Sequence, residues 1–261
     1  MKEFIKTIMD ALHGNAKPVE ARGDYAVVPE GYTLKDLQDY KDGPRRIEAN
    51  VSLTTARAFI KYVTDFSTDY TALFANLSDR KFTAKLDYHD PLNGPAWCKH
   101  TATYNCPIDS RWETWTKADG TALSQTQFAQ FIEDNLVDIV EPSGTDMLSI
   151  AKQLQAKKNI DFKSGQNLAN GDVQFTYNET TSGTAGTMDI PEEFKIGIPV
   201  FEGGDPYEVV ARLRYRIHDG NLKMWYDLLR PERMVEDAFK EIQESINTAL
   251  GDKATFFEGQ A

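Results

Sequence analysis

Cysteine is nearly absent from this chain: Cys98 and Cys106 are the only two in 261 residues. That excludes the disulfide framework on which small secreted domains rely. Histidine is almost as sparse, with four, so a zinc site has few donors to draw on. The one set worth testing is His89, Cys98, His100 and Cys106. Residues 98 and 106 would share a strand face yet lie roughly 26 Å apart on a straight strand. His89 across a hairpin from Cys98 supplies two ligands where four are needed. No metal and no cofactor is expected. Long apolar runs are also missing, so no segment reads as a membrane span. The opening stretch MKEFIKTIMDALHGN is an amphipathic helix with acidic residues rather than a signal peptide. The expected location is cytoplasmic.

Positive charge is in short supply as well. Twenty-nine Lys and Arg stand against 40 Asp and Glu, a net charge of −11. Binding to phosphate backbones rests on Lys and Arg displacing counterions, so it is not expected to be the main affinity of this chain. A local basic strip on an acidic body remains open, as does docking on a basic protein surface.

The phosphate-cradling and hydrolase signatures are lacking too: no Walker-type loop, dinucleotide fingerprint, HExxH or GxSxG occurs. The loop SGTAGT has no lysine at the offset a phosphate loop needs and reads as a connector. The four histidines form no obvious triad with Ser, Cys or Asp in sequence. A metal-dependent nuclease would need an acid followed by Glu-x-Lys on a neighbouring strand. Asp172, Glu193 and Lys195 match those letters, but the Pro-Glu-Glu around Glu193 reads as a turn or helix start. No catalytic residues are assigned.

What is present is an α+β pattern. Residues 2–13 read as a helix with Phe4, Ile8 and Leu12 on its apolar stripe. With the turn-rich stretch that follows, residues 1–45 form a helical and extended arm, and Phe4, Ile8 and Leu12 are candidates for an interface. Residues 46–250 read as one domain and 251–261 as a loose tail. Within the domain, LTTARAFIKYVTDF is helical, and residues 70–109 form strands, two of them joined by DPLNGPA. Ser124 with Gln127 makes a capping box for a helix that pairs with TDMLSIAKQLQAKK. Asn170-Gly171 marks a hairpin. Pro231 opens a C-terminal helix. The expected fold is antiparallel hairpins in one or two sheets, packed with the helix pair and the C-terminal helix.

The segment ARLRYRIHDGNLKMWYDLL is the most informative. Asp219-Gly220 between alternating runs is a type I′ hairpin signal. It pairs His218 with Asn221 and sets the rest of the register. One face carries Leu213, Tyr215, Met224 and Tyr226 as core. The other carries Arg212, Arg214, Arg216, Lys223 and Trp225. Its structural reading, which is preferred, has Arg214 stacked on Trp225 and Arg212 paired with Asp227, leaving Arg216 beside Lys223 uncompensated. The competing reading is an anion- or partner-binding surface. Trp112 and Trp115 in DSRWETWTKADG suit a base-stacking platform or an anchor in a core or interface, and anchoring is preferred.

Two stretches, WETWTKADGTALSQTQFAQFIEDNLVDIVEPSGTDMLSIAKQLQAKKNIDFKSG and IPEEFKIGIPVFEGGDPYEVVARLRYRIHDGNLKMWYDLLRPERMVEDAF, resemble the YfdQ-like proteins of tailed phages and prophages. The resemblance spans roughly residues 50 to 245 and implies a phage origin with cytoplasmic action. It brings no catalytic residues. The expected function is therefore non-enzymatic: homo-oligomeric assembly, with the N-terminal helix as docking element, or binding of another macromolecule. The alternatives are a nucleic-acid accessory factor for recombination or replication, and an acidic inhibitor of a host defence protein.

Overall fold

The computed structural model describes residues 20–22, 25–27, 42–164, 190–218 and 221–261. The expected N-terminal helix, the hairpin at Asn170-Gly171 and the loop SGTAGT lie outside them. The chain divides into two compact units, Met1–Glu48 and Ala49–Ala261. In the first, β1 (Glu20–Arg22) and β2 (Tyr25–Val27) form an antiparallel ribbon.

The second unit holds two five-stranded sheets. In chain order, β3 (Ala49–Leu53) is followed by α1 (Ala56–Phe66), β4 (Ala72–Asn76), β5 (Lys81–Lys85) and β6 (His100–Asn105). Helix α1 starts where the Thr55 side chain accepts the amide of Ala58, an N-cap, and it buries Phe59 and Val63. Then come α2 (Ser110–Ala118), the two-residue β7 (Leu123–Ser124), α3 (Gln125–Asp134), β8 (Ile139–Glu141) and α4 (Gly144–Ser164). The capping box at α3 is complete, with Ser124 and Gln127 bonding reciprocally. Helices α3 and α4 pack as the expected pair, and the buried Gln125 amide donates to the Ala151 carbonyl at 2.6 Å. The chain closes with β9 (Glu193–Pro199), β10 (Pro206–His218), β11 (Asn221–Leu228), α5 (Pro231–Leu250) and β12 (Thr255–Glu258).

The first sheet runs β12-β4-β5-β6-β3 and the second β7-β11-β10-β9-β8. The second is antiparallel throughout. The first departs from the expected all-hairpin pattern, because both of its edge strands pair in parallel: β12 with β4 and β3 with β6. The expectation of a loose tail is also corrected. Residues 255–258 form an edge strand, where Phe256 packs on the core and Phe257 stacks on Phe74 at 5.2 Å. Two adjacent phenylalanines point to opposite faces of a strand, and here both faces offer something to pack against.

One continuous buried cluster serves both sheets. On the first sheet, Phe82 stacks on Phe239 of α5 at 4.7 Å with the rings 9° from parallel. On the second, Trp115 of α2 is wholly buried among Phe131, Phe194 and Tyr226. Trp112 is buried too. Both indoles therefore anchor the core of their own chain, rather than an interface or a base-stacking platform. Their three-residue spacing is one helical turn, which places both on the inner face of α2.

Helix α2 also yields a pH-dependent prediction. Asp109 caps it, accepting the Arg111 amide at 2.9 Å and the guanidinium at 3.0 and 3.1 Å. The guanidinium holds the carboxyl below its usual pKa, against the opposing effect of burial. A lowered folded-state pKa gives stability that is fully present above the ordinary carboxylate range. That stability is lost as pH falls through the folded value. Asp109→Ala should cost about 1 kcal/mol at pH 7, read from urea midpoints. The gap between variant and parent should narrow near pH 3; an unchanged gap would place the effect in packing instead.

Candidate binding face

The pairing of β10 with β11 fixes which way the arginine ladder faces. The β10–β11 pairing joins Ala211 to Leu228, Arg212 to Asp227, Leu213 to Tyr226, Arg214 to Trp225 and so on to His218 with Asn221. Every pair matches the register read from the sequence. Ala211, Leu213, Leu222, Met224, Tyr226 and Leu228 are buried, whereas Arg212, Arg214, Arg216 and Lys223 are exposed and Trp225 is half-buried; Tyr215, expected in the core, is exposed. The ladder is the outer face of the second sheet.

The partners of the ladder differ from expectation. Arg212 pairs with Glu193 of β9 at 2.9 Å, and Arg214 reaches diagonally to Asp227 at 3.0 Å. No stacking of Arg214 on Trp225 is seen. The reason lies in the third strand: β9 sets Glu193 directly beside Arg212, which releases Asp227 for Arg214. One strand further, Lys195 bridges Glu141 of β8 at 2.9 Å and Glu208 of β10 at 3.2 Å. Those two carboxylates raise the Lys195 pKa. Arg216 and Lys223 sit opposite each other as expected, and among the described residues no carboxylate forms an ion pair with either.

At the β8 side this face dips into a cavity of about 470 Å³, lined by Glu141, Pro142, Ile150, Pro191, Glu193 and Lys195 among others. It brings together two of the three nuclease letters. Glu193 begins a strand rather than the turn or helix start expected of it, and it shares a face with Lys195. Asp172 lies outside the described residues. Both groups are engaged by opposite charges, Glu193 by Arg212 and Lys195 by two glutamates.

The other sequence candidates are dispersed. Phe4, Ile8 and Leu12 lie outside the described residues. His89 and Cys98 do meet, with the sulfur 3.7 Å from Nε2 and 3.8 Å from Nδ1. Cys106 is buried, which pushes its thiol pKa up to about 12. His100 Nε2 lies 2.9 Å from the Tyr62 hydroxyl. Among the described residues no three His, Cys, Asp or Glu side chains are grouped to hold a metal. Nor is any described helix long and apolar enough to cross a membrane.

One feature was not picked out in the sequence. Tyr207 stands near the start of β10 and is half-buried. Burial and then Glu241, Asp237 and Asp205 raise the tyrosine pKa. The hydroxyl is buried, yet among the described residues it has no hydrogen-bond partner of normal geometry. The signal was available: Asp237 and Glu241 are four apart on a helix and so share a face.

No curated protein and no solved structure matches this chain. A family match covers residues 2–260, and on that evidence the chain belongs to the family of uncharacterized conserved proteins DUF2303.

Proposed function

We propose that this protein acts without catalysis, by assembling with further copies of itself through the outer face of the second sheet. Its setting in this reading is the cytoplasm of a bacterium carrying the phage or prophage that encodes it, as the YfdQ-like resemblance implies. The observation that supports assembly is the ordering of charge on that face. Five cations, Lys195, Arg212, Arg214, Arg216 and Lys223, stand against four carboxylates, Glu141, Glu193, Glu208 and Asp227. Counterion release needs cations free to meet phosphates, and a nearly balanced face has few. A protein contact asks for something else. Arginines already bound to carboxylates lose water at lower cost, and planar Arg beside Trp is the composition of interface centres.

The test is the mass of the purified full chain by light scattering on a sizing column, with the absorbance ratio followed across the peak. A defined multiple of the chain mass, free of nucleic acid, is the expected result. A small species carrying nucleic acid would replace assembly by the accessory-factor reading, in which Arg212, Arg214, Arg216, Lys223 and Trp225 form a basic-aromatic platform. A clean monomer would overturn assembly and direct the search to a host or phage protein partner, including a defence protein drawn to the acidic body.

A further inference from the structure

We propose that the outer face of the first sheet binds single-stranded nucleic acid, with Lys81 and Lys85 meeting phosphates and Phe257 stacking on a base. The inference goes beyond self-assembly and uses a different sheet, so each stands or falls alone.

The face is set by register. Helices α1 and α5 lie against the side that carries Tyr104 and Phe82, through Phe59 and Phe239. Alternate residues of each strand therefore point away from them. One row crosses all five strands in order: Phe257, Phe74, Thr83, Thr103 and Ser52. Lys81 and Lys85 stand two positions to either side of Thr83 on β5 and share its face. In a chain with 40 Asp and Glu, none occupies an outward position of these strands. Among the described residues neither lysine forms an ion pair, and the Lys85 ammonium donates to the Thr101 hydroxyl at 3.3 Å. The carboxylates in the turns at either end of β5 are engaged elsewhere. Asp79 accepts the Asn76 side-chain amide at 3.0 Å, and Asp87 accepts the backbone amides of Lys99 and His100 at 3.0 and 2.9 Å.

Cations with no carboxylate among them fit a polyanion, and the spacing fits one strand of it. Lysines four residues apart on β5 are separated by about 13 Å, so they meet different phosphates. Phe257 is displaced from β5 by two strand spacings, roughly 10 Å. A backbone tracking β5 can thus lay a base across β4 onto that ring. The ring is 41% exposed and is held from beneath by Phe74, stacked at 5.2 Å, and by Tyr88 at 6.5 Å. A preformed platform loses little freedom on binding, and every base has a face to offer it. Thr83, Thr103 and Ser52 add hydroxyl donors for phosphate and sugar oxygens. A duplex hides its base faces, which selects single strands. With two lysines on a chain of net charge −11, affinity is low at physiological salt, and nucleic acid leaves the protein during purification.

The experiment follows the fluorescence anisotropy of a labelled oligothymidylate of about 20 nucleotides with the full chain, from roughly 20 to 200 mM NaCl. Binding is expected at low salt, with a log–log salt slope of about −1.4, that of two phosphates on a single strand. K81E with K85E should weaken it by about tenfold or more. The same charge change on α1 and α2, K61E with K117E, should weaken it by less than about threefold. Phe257→Leu keeps an apolar group on Phe74, removes the stacking ring and should cost about threefold or more. Each variant is checked for an unchanged circular-dichroism spectrum. If K81E with K85E perturbs folding, K81Q with K85Q replaces it, and the salt slope should then fall towards zero. No binding at the lowest salt overturns the proposal. An equal loss in the α1–α2 control also overturns it, because binding then follows net charge alone. Loss on replacing Arg212, Arg214 and Arg216 by Ala, with K81E and K85E harmless, would move the site to the second sheet. Equal affinity for a duplex of the same length overturns the single-strand assignment. Competition by polyglutamate as strong as by unlabelled oligothymidylate would overturn it too, making an acidic protein segment the occupant.

Discussion

Trp115→Ala is expected to lower the unfolding free energy by about 3–5 kcal/mol. For a domain whose total stability is on the order of 5–15 kcal/mol, that is a large share. The indole is fully buried and its ring centroid lies 5.0 Å from Phe131, 5.2 Å from Tyr226 and 6.1 Å from Phe194. Truncation opens a cavity that helix, sheet and loop would all have to close together. It also strands polar groups. The indole Nε1 donates to the buried Asp138 at 2.9 Å, and a carboxylate that loses its donor in the interior costs further stability. Urea denaturation at neutral pH reads the effect; a loss below about 1 kcal/mol would show that the site collapses around the gap. Trp115→Phe separates the two contributions, since it keeps most of the ring volume and removes the donor.

The second large effect is expected at Phe82→Ala, again about 3–5 kcal/mol. Phe82 is fully buried and stacks on Phe239, so it ties α5 to the first sheet, while its cross-strand partner Tyr104 has its ring 6.2 Å away. Trp115 packs from α2 on the second sheet and Phe82 lies in the first, but both belong to one buried cluster. Each substitution should therefore shift a single transition of the second unit, with far-ultraviolet and near-ultraviolet signals moving together. Two separated transitions in either variant would mean that the sheets unfold independently despite their shared core.

Much of this architecture was legible because the deciding forces are local. The β10–β11 register follows from a turn signal and a period of two, both contained in some twenty consecutive residues. The α3 capping box follows from four. The ion pairs of the ladder were not legible, since Glu193 and Lys195 reach the face only once β9 is placed beside β10. Nothing in the hairpin's own sequence specifies that neighbour. The parallel edges of the first sheet escaped for the same reason: β3 and β6 are some fifty residues apart, and β12 returns to β4 from the far end of the chain. Phe256 and Phe257 in the supposed tail were the available hint. Trp112 and Trp115 show a further limit, because a helical spacing tells which residues share a face but not whether that face meets a core or a partner.

The return of β12 to the first sheet has a consequence for what holds the polypeptide together. A cut anywhere between residues 165 and 189 would leave β3 to β8 of the second unit on one fragment and β9 to β12 on the other. Each fragment then contributes strands to both sheets, and neither sheet belongs to either fragment alone. The two pieces are interlocked by hydrogen-bonded ladders at β8–β9, β7–β11 and β12–β4 and by the common core. Backbone continuity across that segment is thus not what keeps the second unit in one piece: a nicked chain would behave as a two-part lock that stays shut.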